Sequence, residues 1–157
     1  MKMSLLRLVS LWLSLLLLLA VSHNAQTQQP NELETFELVP LKLADLTIQV
    51  QLADTPEKRS QGLMFKQTAE PGMLLLYPKP TSMSLWMANT SMALDVAYIT
   101  PDWTIAKLVQ LQPFDKTPVP SPGPVIAALE LPRGWFARHG IDVGAKAALL
   151  NHKAAAH

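Results

Sequence analysis

The stretch LKLADLTIQVQL, residues 41–52, indicates the fold of this chain most clearly. Leucine, isoleucine or valine occupies every second position on both sides of Ala44-Asp45. This period of two is typical of half-buried strands, because successive side chains of a strand point to opposite faces of its sheet. Ala44 and Asp45 leave room for a tight turn between the two runs. The stretch therefore predicts a β-hairpin.

Short apolar runs separated by turn residues continue along the chain, which favours an all-β architecture. Short helices are predicted only over residues 54–61 and 134–140. Residues 113–124 contain five prolines, which cannot donate hydrogen bonds to a sheet, so an extended loop is predicted there. We predict a mainly β fold, a compact β-sandwich or small barrel with one or two short helices, in a single domain over residues 36–151. Further strands are predicted over residues 73–77, 82–87, 95–99, 103–111, 125–131 and 145–150.

The first helix has recognisable start and stop signals. Asp54 is the predicted N-cap, followed by Pro56 in the first turn and by Glu57 at the position that completes a capping box. Gly62 is expected to end the helix in a left-handed conformation. The helix would therefore span only about two turns.

The first residues have the pattern of an export signal. Lys2 and Arg7 precede an apolar run over residues 8–21, and small residues follow. This pattern predicts a signal peptide over residues 1–22, with cleavage after residue 25 as the alternative. The run is short for a bilayer span of about 20 residues, so no stable membrane anchor is expected after cleavage. Residues 23–35 are predicted to be a disordered tether and residues 152–157 a frayed tail.

The net charge and the cysteine content of the chain exclude some classes of function. The whole chain carries a formal net charge of +1, and loss of residues 1–22 with their two basic residues makes it slightly negative. Nucleic-acid binding favours a dense basic surface, so no nucleic-acid partner is expected. The chain contains no cysteine, which excludes disulfides and a lipoprotein anchor. We expect a periplasmic or secreted protein, and a monomer.

Eight motifs between residues 46 and 150 resemble the bacterial and archaeal family called domain of unknown function 192. The resemblance implies a compact, mainly β fold and frequent export, and it implies no established activity. Ala88 stands where this family often has lysine. The motifs are Ala53-Asp54-Thr55-Pro56-Glu57 with Arg59, Gly62-Leu63-Met64-Phe65, Gly72-Met73-Leu74, Trp86-Met87-Ala88-Asn89-Thr90, Leu94-Asp95-Val96-Ala97-Tyr98-Ile99, Pro120-Ser121-Pro122, Ala128-Leu129-Glu130 and Gly140-Ile141-Asp142-Val143-Gly144.

Polar residues at the ends of apolar runs suggest one binding site. Because familiar catalytic constellations are missing from the sequence, the leading hypothesis is a non-enzymatic role in binding a small ligand or an envelope component. Carbohydrate is one candidate class. The proline-rich segment 113–124 would partly cover the site, and no cofactor is predicted. The predicted ligand-binding residues are Arg59, Asn89, Thr90, Asp95 and Glu130.

Two alternative functions remain open at this stage. Asp95 and Glu130 would serve an envelope hydrolase as general acid and base if their carboxyl groups faced each other across a cleft. Met83, Met87 and Met92 would suit soft-metal handling, since thioethers bind Cu(I), although methionines also fill protein cores.

Other residues have structural interpretations. A carboxylate at Asp95 requires donors, for which Arg59, Asn89 and Thr90 are the candidates. His139 is expected to interact with the C-terminal end of a short helix. Tryptophans at strand positions usually pack in the core, and this is the expectation for Trp86, Trp103 and Trp135.

Overall fold

The computed structural model describes residues 33–150 and is mainly β, with 46% strand and 8% helix. The predicted fold class is therefore confirmed, and the barrel takes the form of a curled seven-stranded half-barrel. Two short helices, α1 (Pro56–Gln61) and α2 (Trp135–Arg138), accompany the strands. The strands are β1 (Glu37–Leu43), β2 (Leu46–Ala53), β3 (Met73–Thr81), β4 (Ser84–Leu85), β5 (Leu94–Ile99), β6 (Ile105–Leu111), β7 (Val119–Pro120), β8 (Val125–Pro132) and β9 (Ala147–Leu149).

The large sheet has the order β6-β5-β8-β3-β2-β1-β9. All neighbouring strands are antiparallel except β2 and β3, which pair in parallel. The two edge strands meet at one end through a bridge between Thr104 and Lys146. Backbone hydrogen bonds from Ile105 to the Ala145 carbonyl and from Ala147 to the Trp103 carbonyl continue this seam. Because its edge strands are joined at this seam, the sheet is curled, and one of its faces lines the inside of the half-barrel.

The inside face carries one of two apolar clusters, which we call the inner core. It takes alternate residues of the strands, including Leu41, Val50, Leu129 and Ile105, all without measurable exposure. Trp135 of α2 packs against the same cluster. The period-two pattern of residues 41–52 therefore places its leucines and valine on the enclosed side of the sheet.

The opposite face carries the second cluster, the outer core, which takes the intervening residues of the same strands. Met73 of β3, Val96 and Tyr98 of β5, and Ala128 of β8 belong to it. Leu63, which follows α1, and Met87, which follows β4, also pack in this cluster. The outer face is therefore covered by loops and short elements, whereas the inner face is closed by the sheet itself.

The predicted hairpin is present, because Leu43 pairs with Leu46 across Ala44 and Asp45. Ala44 adopts a φ of 51°, the left-handed conformation that tight hairpin turns require.

The predicted helix after β2 is also present, but its N-cap is Thr55, so the assignment to Asp54 is wrong. The Thr55 hydroxyl accepts a hydrogen bond from the Lys58 N–H at 3.2 Å, because Thr55 has the extended backbone that an N-cap needs. Gly62 ends the helix as predicted and donates its N–H to the Lys58 carbonyl, but its φ of 51° is combined with a ψ of −135°, which is not the left-handed helical conformation expected.

The proline-rich segment is less uniform than predicted. Val119 and Pro120 form β7, which pairs with the two-residue strand β4 in a small separate sheet. An edge position tolerates proline, since the missing N–H need not pair. The strand predicted over residues 82–87 is correspondingly reduced to Ser84–Leu85.

None of the helices within residues 33–150 is long and apolar enough to cross a membrane. The predicted signal peptide and most of the tether, as well as the C-terminal tail, lie outside the described residues.

Candidate functional site

A cavity of about 360 Å³ opens on the outer face of the sheet. Residues of α1 and the turn after it form one wall, β3 contributes Leu75 and Tyr77, and residues 84–87 form the opposite wall. Glu130 of β8 is the acidic residue among the lining side chains. We call this cavity the Glu130 pocket.

Glu130 lies in the middle of the sheet, opposite Met73 of β3 and Val96 of β5. Both partners belong to the outer core, so the Glu130 side chain also faces outward. Only 7% of Glu130 is exposed, and this burial raises the pKa of its carboxyl group to about 7. Removal of a carboxyl group from water disfavours its charged form, and this desolvation is the cause of the raised pKa of Glu130.

The Oε2 atom of Glu130 makes no hydrogen bond within the described residues, and it is the one buried side-chain polar atom there without a partner. Buried polar groups are nearly always paired, because an unpaired one costs about 1–3 kcal/mol or more when charged. An exception of this kind at a cavity wall points to a functional role.

Gly62, at the end of α1, lies close to this carboxyl group, and its backbone conformation rather than lack of space favours glycine. A Cβ atom at position 62 would lie 3.9 Å from Oε2 of Glu130, and the φ of 51° strains any side chain there. The glycine thus ends the helix in a backbone conformation that other residues rarely adopt.

Tyr98 lies beside Glu130 on β5, but it does not satisfy the carboxylate. Its hydroxyl donates to the Val119 carbonyl at 2.6 Å. Burial, followed by the negative charge of Glu130, raises the pKa of Tyr98 to about 12. The tyrosine therefore stays protonated and ties β7 to the sheet.

Arg59 lines the pocket, yet its guanidinium group is engaged elsewhere. Nη1 donates to the Asp54 carbonyl at 2.6 Å and to the Leu76 carbonyl at 2.8 Å. The guanidinium carbon lies 4.5 Å from the centre of the Tyr77 ring, a cation–π distance. Within residues 33–150 the ion pairs are Lys58–Asp54 and Lys146–Asp102, so Arg59 does not pair with Glu130.

Thr90 lines the pocket and Asn89 lies beside it on an exposed turn. The Asn89 carbonyl accepts a hydrogen bond from Phe65, and the Thr90 carbonyl accepts one from Phe114. Phe65, Asn89 and Phe114 all have φ near 60°, at 63°, 55° and 60°. These bonds hold three loops together at the pocket rim.

Asp95, the fifth predicted site residue, lies on the other face of the sheet. It pairs with Leu131 of β8, an inner-core residue, and lines a second cavity near Phe136 and Ile141. Its Oδ1 accepts a hydrogen bond from Gln110 at 3.3 Å, rather than from the donors expected from the sequence. The structure thus brings Arg59, Thr90 and Glu130 to one pocket, places Asn89 at its rim and separates Asp95 from it.

The hydrolase alternative requires Asp95 and Glu130 to face each other. In the β5–β8 ladder Asp95 is opposite Leu131 and Glu130 is opposite Val96. Adjacent ladder positions point to opposite faces of a sheet, so the two carboxyl groups do not share a cleft.

The three methionines of the copper hypothesis all belong to or pack against the outer core. Met87 also lines the Glu130 pocket. Within residues 33–150 no cluster of three histidine or acidic side chains could hold a metal ion. Copper binding through the thioethers stays a prediction.

Several pocket residues were missed by the sequence interpretation. Gly62 was interpreted only as a helix end and Tyr77 only as part of a strand. Trp86 was expected in the core but is 51% exposed at the pocket. Trp86 lies between two short elements, β4 and the following turn. These elements do not cover its side chain, so it stays exposed. His139 lies at the end of α2 as predicted, with its ring stacked on Trp135 at 3.9 Å.

Fold and pocket define a class of small half-barrel β-domains with a ligand-sized cavity on the outer face of the sheet. The chain belongs to the DUF192 family, described as an uncharacterized ACR, whose model matches residues 39–149. The resemblance noted from the sequence motifs is thereby confirmed.

Two solved structures are similar to this chain. One is a protein of unknown function from Novosphingobium aromaticivorans DSM 12444, with 30% identity, a TM-score of 0.69 and coverage of 79% of this chain and 94% of that one. The other, from Sinorhizobium meliloti 1021, is described as a "putative transcription regulator", with 28% identity, a TM-score of 0.70 and coverage of 74% and 96%. No curated protein sequence is significantly similar to this chain.

Proposed function

We propose that this chain is an exported, non-enzymatic binding domain that holds a small ligand or a fragment of an envelope component in the Glu130 pocket. The observation that carries the proposal is the buried carboxyl group of Glu130, whose Oε2 has no partner within the described residues. Such a group destabilises the fold unless something compensates. A bound ligand with hydrogen-bond donors supplies that compensation.

The size and lining of the cavity support this role. Ligand pockets have volumes of about 300–1,000 Å³ and combine apolar walls with a few polar groups. The Glu130 pocket, at about 360 Å³, suits a ligand of modest size. Leu63, Leu75 and Met87 supply apolar walls.

Binding is favoured over catalysis by the composition of the lining. Among the described residues that line the pocket, Glu130 is accompanied by neither a second carboxyl group nor a histidine. General acid–base chemistry needs a proton acceptor and donor near the reacting atoms. A lone acid with a raised pKa suits recognition of a donor group.

The export part of the proposal depends on residues 1–22, with their basic start and apolar run. Mass spectrometry of the protein recovered from the periplasm or medium tests it. The expected mature chain begins at residue 23, or at residue 26 for the alternative site. Recovery of the intact chain only from the cytoplasm would refute export.

A thermal-shift screen of amines, sugars, amino acids and carboxylates tests binding in the pocket. Ser84→Trp places a bulky ring at a pocket wall, and Ser82→Trp places the same ring at an exposed position two residues away that does not line the pocket. Ligands should raise the melting temperature of the wild type and of Ser82→Trp, and should lose this effect in Ser84→Trp. Equal shifts in both variants would exclude the pocket as the binding site.

A further inference from the structure

We infer that the ligand of the Glu130 pocket is a small organic ammonium ion, an alkyl or aryl amine whose N–H groups donate to the Glu130 carboxylate. This inference rests on the proposed function and names the chemical class that the pocket accepts. It follows from the charge, the walls and the rim of the cavity.

The charge of the Glu130 carboxyl group is the first reason to expect an ammonium ion. Within residues 33–150 the buried Oε2 of Glu130 accepts no hydrogen bond, and the guanidinium of Arg59 is bound to the Asp54 and Leu76 carbonyls. The Tyr98 hydroxyl is bound to the Val119 carbonyl. A protonated amine provides N–H donors for Oε2 and forms a charge-assisted hydrogen bond with the carboxylate.

Apolar side chains form part of the pocket wall and suit a ligand that carries a carbon skeleton. Leu63, Leu75, Met87 and Leu94 line the pocket and are each at most 2% exposed. Transfer of apolar ligand surface from water to these side chains favours binding. Polar side chains also line the pocket, so polar groups of a ligand have partners there while its carbon skeleton meets the apolar part of the wall. These polar residues are Ser60, Gln61, Ser84 and Thr90.

The rim supplies an aromatic surface. Trp86 lines the pocket while 51% of it remains exposed. Tryptophan is the aromatic residue that binds cations best through its ring face. An exposed tryptophan next to an unpaired buried acid thus suits the approach of a cationic group.

Affinity should depend on pH through Glu130. The titratable groups around its carboxyl group are Arg59 from α1, Tyr77 from β3 and Tyr98 from β5. Alkylamines keep their protons below about pH 9, and the pKa of Tyr98 is raised to about 12 by burial. Between pH 6 and pH 8 the principal change is therefore ionisation of Glu130, which creates the binding partner of the ammonium ion.

Isothermal titration of the purified chain with phenethylamine tests the inference, with 2-phenylethanol and 3-phenylpropionate as neutral and anionic analogues. The amine should bind once per chain, with affinity rising about tenfold from pH 6 to pH 8 as Glu130 ionises. The alcohol and the acid should bind at least about tenfold more weakly, since they cannot form the charge-assisted bond.

Glu130→Gln should weaken amine binding at least about tenfold at pH 8 and abolish its pH dependence, because Gln carries no charge. Glu37→Gln, at an exposed position in β1, is the matched control and should bind as the wild type does. A melting curve of each variant verifies that it folds.

Two results would overturn the inference. The first is that the amine fails to bind at millimolar concentration. The second is that the alcohol or the carboxylate binds as tightly as the amine does. If a non-cationic compound binds and Ser84→Trp removes that binding, the proposed function stands while the ammonium assignment fails. If no compound of any class binds in a manner sensitive to Ser84→Trp, the proposed function fails as well.

Discussion

The two faces of the half-barrel differ, although the same strands build both. Leu129 and Glu130 are consecutive in β8, and one faces the inner core while the other faces the outer core. Leu129 is surrounded by apolar side chains and fully buried, whereas Glu130 is 7% exposed beside a cavity. The inner face therefore stabilises the fold, and the outer face tolerates a costly polar group.

The coverings of the two faces explain this difference. The inner face is enclosed by the curled sheet and its seam at Thr104 and Lys146. The outer face is covered by α1 and loops, in which Phe65, Asn89 and Phe114 adopt positive φ values. Strained residues at such positions cluster at functional sites. The irregular face is thus the natural place for a binding pocket.

The largest expected effect comes from the inner face. Leu129→Ala should lower the free energy of unfolding by about 2–5 kcal/mol, because it leaves a cavity in a fully buried position. Urea denaturation measures the change. Leu38→Ala, at a 54% exposed position, is the control and should change stability by less than about 0.5 kcal/mol. Similar losses for both would contradict the description of the inner core.

On the outer face, the buried carboxyl group of Glu130 should make the free energy of unfolding depend on pH. Its pKa is raised from 4.5 to about 7, so the folded state retains a proton that the unfolded state has lost in this range. Wild-type stability should therefore fall as the pH rises from about 4.5 to 7, by about 3 kcal/mol, and then level off.

Glu130→Gln should remove this pH dependence and should be more stable than the wild type at pH 8. Denaturation curves at pH 5 and pH 8 measure the difference. A wild-type stability that rises over this interval relative to the variant would contradict the assignment, because it would require a partner for the carboxylate.

Tyr98→Phe tests the link between the two sheets. The variant loses the hydrogen bond from the Tyr98 hydroxyl to the Val119 carbonyl, which measures 2.6 Å. Stability should fall by about 1 kcal/mol, and amide hydrogen exchange should increase in β4 and β7. Unchanged exchange in these two strands would show that Tyr98 does not hold them.

Asp95→Asn is expected to have the smallest effect of the series. Asparagine retains an oxygen that can accept the bond from Gln110, which measures 3.3 Å in the wild type. A loss of about 1 kcal/mol or less is expected in thermal denaturation. Binding at the Glu130 pocket should be unchanged, since Asp95 lies on the other face; impaired binding would link the two faces.

Local patterns predicted much of this fold. The alternation in residues 41–52 predicted a hairpin and the face of it that is buried. Both features depend on residues that are close together in sequence. The helix before Gly62 was also predicted, although its N-cap is Thr55 and not the predicted Asp54. Both residues are good N-caps, so composition alone could not choose between them.

The site was predictable only in part, because it depends on register. Arg59, Thr90 and Glu130 were predicted together and line one pocket, but Asp95 was grouped with them wrongly. β5 is buried on both faces, so its sequence lacks the alternation that would assign Asp95 to a face. Pairing with β8 makes that assignment, and the pairing is a long-range property.

Within residues 33–150, Glu130 is a buried carboxyl group whose Oε2 has no hydrogen-bond partner. A pH titration of its side-chain carboxyl carbon by NMR, in the ligand-free wild type, tests this claim most directly. A midpoint of about 7 is expected from the burial of the group. A midpoint at or below the ordinary value of 4.5 would show that Glu130 is solvated or paired, and would contradict the account.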